Sequence, residues 1–438
     1  MSETQTLYVD AFRAFESGLN GQSSTPIHQI RRRAIDRFEV TGFPTSSDEA
    51  WKSINLSPLT AAFRPAAPST ALTPDALDQV RLGADEWTIV FVNGFFNEAH
   101  SDLARLPDGL TITSIAKEID AGSDLLVDHV SKVAEFEDHA FTALNTAFLT
   151  DGALIHARRG AVVEKPVHVV YFSTSSDEPT VSYPRSLFVA EENSQLTVVE
   201  TFAGLGDGPY LTNHVAEIVV GDNAIFDHYK VGLEGDQAVH VANQQVRQGR
   251  SSSFCSHSIS IGGQFVRNDV SSALDGEGCE STLNGLYVLN GSQHCDNYTL
   301  LDHRKPGCPS HELYKGILDG KARAVFRGKI HVHQIAQNTD AYQQNKNVLL
   351  SDDARVNTKP QLEIYADEAK CSHGATIGQL DDDALFYLQA RGISRRAAHR
   401  MLLEAFADDV LSRIKIEGLR KALTRRVLDK IAAPGETA

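Results

Sequence analysis

The feature that most constrains this chain is a repeat. From Gly152 to about Asp367, short alternating runs such as H-V-V-Y-F, L-T-V-V-E-T-F, A-I-F-D-H-Y-K-V, F-C-S-H-S-I-S-I and A-V-F-R-G-K-I-H-V follow one another. Gly, Asp and Asn separate them, and no helical pattern intervenes. Phrases beginning near Asn193, Asp222, Gly249 and Glu277 recur at roughly 28 residues, a period that signals stacked coils. Alternation with a period of two marks strands, and strands without crossover helices argue against βαβ units. A solenoid of coils fits best; from pattern alone a β-sandwich is the runner-up.

The repeat is flanked by helical sequence. Leu7, Phe12, Phe15 and Leu19 fall near helical spacing, and Pro26 opens a second segment that Gly42-Phe43-Pro44 closes. Arg31-Arg32-Arg33 reads first as a solvated helix face. The stretch Phe63–Pro74, rich in Pro, Ala, Ser and Thr, is the best linker candidate. W-T-I-V-F-V followed by Asn93-Gly94 and two Phe reads as a strand entering a tight hairpin. Residues 112–150 are ambiguous, with a helix expected across F-T-A-L-N-T-A-F-L. After Leu380, Asp381–Asp383 favour a helix start and Gly392 its end. Ser394 caps the next helix, and an amphipathic segment runs from Glu417 to about Ala432. The division expected is a helical region at 1–62, a linker and mixed α/β region at 63–151, a β core at 152–375 and a helical region at 376–438.

Composition excludes several function classes. A formal net charge of −16 opposes nonspecific binding to nucleic acid or anionic lipid. No apolar run approaches the ~18 residues of a membrane span, and the start M-S-E-T-Q lacks a basic-then-apolar signal. A cytoplasmic protein is expected. Five cysteines without C-x-x-C suit reduced thiols better than a disulfide framework. There is no phosphate loop, G-x-S-x-G elbow, H-E-x-x-H pair or strand-linked G-x-G-x-x-G. Local charge is reversed at the end, with 11 Lys/Arg against 5 Asp/Glu between Arg391 and Lys430, either a solvated helix surface or a docking module.

The run K-C-S-H-G-A-T-I-G-Q-L (Lys370–Leu380) sets Cys371 and His373 one residue apart where strand-like sequence meets helical sequence. In an extended segment both point to one face. Together with K-P-Q-L-E-I-Y-A-D (Lys359–Asp367), this run closely resembles the C-terminal signature of the SufB/SufD family, the paired scaffold subunits of the SUF iron–sulfur cluster assembly system. The resemblance extends from the mid-150s to the low 410s, and G-F-P-T with D-E-A-W-K (Gly42 to Lys52) looks like the N-terminal pattern of the SufD branch. Where SufB carries a cysteine in a phrase like Y-T-Q-C, this chain has Tyr342-Gln343-Gln344-Asn345, which again resembles the SufD branch.

The resemblance implies a right-handed parallel β-helix between helical regions and a non-catalytic scaffold subunit. It implies pairing with SufB through the β-helix and docking of the ATPase SufC on the C-terminal helices. No cofactor would be permanently bound; iron or a nascent cluster would be held transiently and shared with SufB, by His373 with Cys371 as its companion. Whether the chain forms a homodimer without SufB stays open. A rival reading is a cytosolic β-helix enzyme acting on carbohydrate, and a third is a purely structural subunit. His331 and His333, either side of Val332, could share a metal or be ordinary strand histidines. Cys295, Cys308 and His311 match no common zinc spacing, and Cys255 and Cys279 read as small buried hydrophobes.

Overall fold

The computed structural model describes residues 2–19, 24–52, 54–69, 72–83, 85–175 and 178–432. Its centre is a parallel β-solenoid of about eight turns. Each turn gives one strand to a 12-stranded sheet and the next to a 10-stranded sheet, so neighbours within a sheet lie one turn apart in sequence. The solenoid expected from the repeat is therefore the fold, and the sandwich is not.

The punctuation of the repeat has a physical cause. Asn193, Asn223, Ser251, Gly278, Gly307 and Asn338 occupy successive corners with φ of 59°, 55°, 54°, 66°, 69° and 59°. Gly and Asn enter this left-handed region at little cost. Each of these residues donates its backbone N–H to a carbonyl at the corner of the next turn, on Asp222, Arg250, Glu277, Pro306, Gln337 and Glu368. The corners thus stack as a ladder of their own.

Side chains of equal register line up along the axis in columns. One interior column reads Leu196, Phe226, Phe254, Ser281, Ser310, Ala341. Phe226 stacks on Phe188 with centroids 6.2 Å apart and meets Phe254 at the same distance. The interior is not uniformly apolar. Buried Glu200 accepts from Ser186 Oγ at 2.6 Å and pairs with His228 Nε2 at 2.9 Å. Buried Lys230 donates to Asn268 Oδ1 at 2.7 Å, and burial pulls its ammonium down to about 8.

Helices cover the two sheets. Glu3–Ser17, Pro26–Thr41 and Ala140–Ala147 bury Tyr8, Phe12, Phe38 and Phe141 against Val181, Leu211, Val241 and Phe265 of the 12-stranded sheet. Arg395–Leu411 and Glu417–Ala432 bury Leu403, Val410, Leu423 and Val427 against Val231, Ile259, Leu286 and Ile317 of the 10-stranded sheet. The expected hairpin is present: Trp87–Val92 turns through Asn93 (φ 56°) and Gly94 (φ 83°) into Phe95–Phe96. Trp87–Val92 also extends the 10-stranded sheet, and Leu110–Ser114 pairs antiparallel with Gly152–Ala157 of the other. Residues 70 and 71 of the expected linker lie outside the described residues. Its Arg64–Pro65 lies parallel to Thr180–Val181 as a short strand, an edge position that proline tolerates because its missing N–H is not needed there.

Candidate functional site at the open end of the solenoid

The chain's last strand, Ala369–Gly378, pairs with Thr339–Leu349 and ends the 10-stranded sheet. Among the described residues nothing pairs with its other edge. Cys371 closes the column of Phe226 and Phe254 by registering with Ala341, and it packs half-buried on the core. Burial pushes its thiol up. His373 ends the neighbouring interior column, which runs Val198, His228, Ser256, Leu283, Glu312, Gln343. The two share the face expected from their spacing, and His373 is exposed because no further turn covers it.

Beneath His373 the column is polar and buried. Gln343 Nε2 donates to Glu312 Oε2 at 2.6 Å, and burial raises the Glu312 carboxyl to about 7. Asn345, the position that the resemblance sets against a SufB cysteine, is equally internal. Its amide donates to Tyr287 Oη at 3.1 Å and to the Tyr314 carbonyl at 3.2 Å. It is a structural amide, not an open ligand.

The other cysteines behave in different ways. Cys279 and Cys308 meet at buried corners of successive turns, Sγ to Sγ 3.6 Å. Cys255 is half-buried with Sγ 3.9 Å from His257 Nδ1, rather than fully buried as expected. Cys295, Cys308 and His311 do not form a zinc site: Cys295 is interior, Cys308 is at a corner, and His311 is exposed on a strand of the other sheet.

His331 and His333 do gain a metal-type neighbour. Asp302 Oδ1 lies 3.0 Å from His331 Nδ1 and 2.9 Å from His333 Nε2. Among the described residues this is the one group of three or more His, Cys, Asp or Glu side chains that could hold an ion. Sequence reading missed Asp302 because its place beside His331 depends on strand register. The available signal was its position one repeat upstream.

The C-terminal helices also carry unburied apolar groups. Phe386 is 72% exposed, and Tyr387 and Met401 are exposed beside it in sequence and on the following helix. Among the described residues, no helix is long and apolar enough to cross a membrane.

Comparisons with known proteins identify the family. Residues 171–406 match the family model of the SufBD core domain of SUF system FeS cluster assembly, and residues 2–169 match the SufBD protein N-terminal region. The chain is 33% identical to the iron–sulfur cluster assembly protein SufD of Escherichia coli over 392 residues, covering 88% of this chain and 89% of that one. It is 31% identical over 418 residues to an iron–sulfur cluster assembly SufBD family protein of Synechocystis, covering 93% and 92%. The chloroplastic protein ABCI7 of Arabidopsis thaliana is 30% identical over 410 residues, covering 91% and 85%. On the two family-model matches and these relatives, the chain belongs to the SufBD family of the SUF iron–sulfur cluster assembly system.

Proposed function

We propose that this chain is a SufD-type, non-catalytic scaffold subunit of the cytosol that pairs with SufB through the open end of its solenoid. The ATPase SufC docks on its C-terminal helices, and nucleotide-driven movement of those helices opens the SufB–SufD interface. Iron or a nascent cluster is the cargo, held there between SufB's ligands and His373, with Cys371 as a companion thiolate. One observation carries this reading: an imidazole and a thiol stand on one face of an edge strand whose outer side is unpaired among the described residues. Imidazole and thiolate are ligands that iron and iron–sulfur clusters accept. Two ligands cannot hold a cluster alone, which is the chemistry of a shared, releasable site. The exposed Phe386, Tyr387 and Met401 support docking of a partner on the C-terminal helices.

The carbohydrate-enzyme reading needs a long open solenoid face lined by acids and bases. Helices instead pack on both sheets, so no observation favours it.

The test is anaerobic co-purification of the chain with its SufB and SufC, wild type beside His373→Ala, with iron content and visible absorption measured on each complex. The expected result is an assembled complex in both cases, with the variant depleted of cluster. Equal loading of the two would remove His373 from the mechanism and leave the chain an architectural partner.

A further inference from the structure

We propose that Asp302, His331 and His333 form a second, independent site for a single divalent transition-metal ion of the Zn(II)/Fe(II) class. It lies on the outward face of the 12-stranded sheet and does not depend on the reading of His373 above.

The backbone builds the cluster in two steps. His331 lies in the strand Arg323–Val332, whose interior positions are Ala324, Phe326, Ile330 and Val332. Residue 331 therefore points outward, and His333 follows two positions later on the same side. The adjacent strand His294–His303 places Asp302 in register with His331. Three potential ligand atoms, one ring nitrogen from each of His331 and His333 and an Asp302 carboxylate oxygen, lie within 4.8 Å of one another.

Three further observations distinguish this cluster from a chance surface group. First, both imidazole nitrogens address the same carboxylate oxygen, Oδ1, at 3.0 and 2.9 Å. Ligand atoms around a tetrahedral ion with bonds of about 2.0–2.1 Å sit only slightly farther apart than that. Second, the other oxygen, Oδ2, accepts from Arg304 Nε at 2.6 Å. That bond fixes the carboxylate so that Oδ1 faces the histidines, the part an outer-shell partner plays in metal sites. Third, exposure is graded: Asp302 is buried, His331 partly so, and the His333 side chain is 42% exposed. The cluster is anchored below and open above, leaving coordination positions for solvent or an exchanging ligand.

The donor set selects the ion. Two imidazoles and one carboxylate suit Zn(II), Fe(II), Co(II) or Ni(II); Mg(II) and Ca(II) prefer all-oxygen shells. No cysteine belongs to the cluster, so it offers no thiolate to an iron–sulfur cluster. The next strand position on this rung, Glu363, is in register with His331 but is held by Lys329 Nζ at 2.7 Å, so three protein ligands are assigned.

Cobalt(II) chloride is the probe, added anaerobically to the untagged full-length chain while visible absorption is recorded. Wild type is expected to take up one Co(II) with a ligand-field band that Zn(II) abolishes. Loss of an outer-shell partner alone weakens metal binding by about 10- to 100-fold, so loss of a direct ligand is expected to cost roughly 100-fold. His333→Gln and Asp302→Asn should both show that loss, with thermal unfolding as the control. If Asp302→Asn fails to fold, His333→Gln decides, because its half-exposed ring carries little packing. The Cys371→Ser/His373→Ala variant should bind as wild type does. Unaltered Co(II) binding by folded His333→Gln would overturn the proposal. So would loss confined to the Cys371/His373 variant, which would assign the ion to the edge strand.

Discussion

The residue that best reports the condition of the solenoid's open end is Glu312, two turns beneath His373 in the same column. Folded, its carboxyl keeps its proton up to about 7; unfolded, it releases it near ~4.3. Between those values the folded state binds more protons than the unfolded one, so stability falls as pH rises and levels off above about 7. Glu312→Gln keeps an oxygen to accept from Gln343 and cannot ionise. The variant should match wild type near pH 5 and be more stable by on the order of 2–3 kcal/mol at pH 8, read from urea unfolding at several pH values. Parallel curves for the two proteins would show that Glu312 is ionised without penalty. At this scale the sequence was half legible. The pairing of Cys371 with His373 follows from a period of two within one strand, which any reader can count. Asp302 beside His331, and Glu312 beneath His373, depend on which residue of the next turn lies opposite, and a degenerate repeat does not carry that register.

At the scale of the element, the coils are keyed to one another by alternating ring and gap. Gly285 registers with Tyr314, and Gly316 with Tyr287 on the next interior column. A Cβ built on Gly285 would lie 2.2 Å from the Tyr314 ring, and one on Gly316 would lie 2.2 Å from the Tyr287 ring. Each glycine is required for the space it leaves, since neither has a positive φ. Gly285→Ala should therefore cost roughly 1–3 kcal/mol through overpacking, measured as a shift in the denaturant midpoint. A neutral result would mean that the Tyr314 ring moves aside freely. The same logic explains what pattern reading lacked. Alternation marks a strand equally well in a sandwich and in a solenoid, so the choice rested on the period and on the Asn and Gly corners. At Phe63–Pro74 the composition marks a linker, and a two-residue edge strand such as Arg64–Pro65 leaves no periodic signature there.

For the whole molecule, the two ends of the solenoid differ. At the start, the antiparallel strand Leu110–Ser114 and the hairpin Trp87–Phe96 lie beyond the first turns. At the finish, the strand Ala369–Gly378 presents an edge that is unpaired among the described residues, and there the columns that run through the core stop at Cys371, His373, Ala375 and Ile377. A bare edge of this kind is a template for another chain's strand unless it is covered. Ile377, 46% exposed, continues the column of Tyr287, Gly316 and Asn347 with no turn above it. If SufB covers this end, Ile377→Lys introduces a charge that must be desolvated when the two chains meet. The dissociation constant of the SufB pair should then rise by about tenfold or more, ~1.4 kcal/mol, as read by a binding titration. The isolated variant should unfold at the wild-type temperature, because in the unpaired chain the lysine can reach water. Tight binding by a normally folded Ile377→Lys chain would move the interface away from the open end, and His373 would then need another explanation for its exposure.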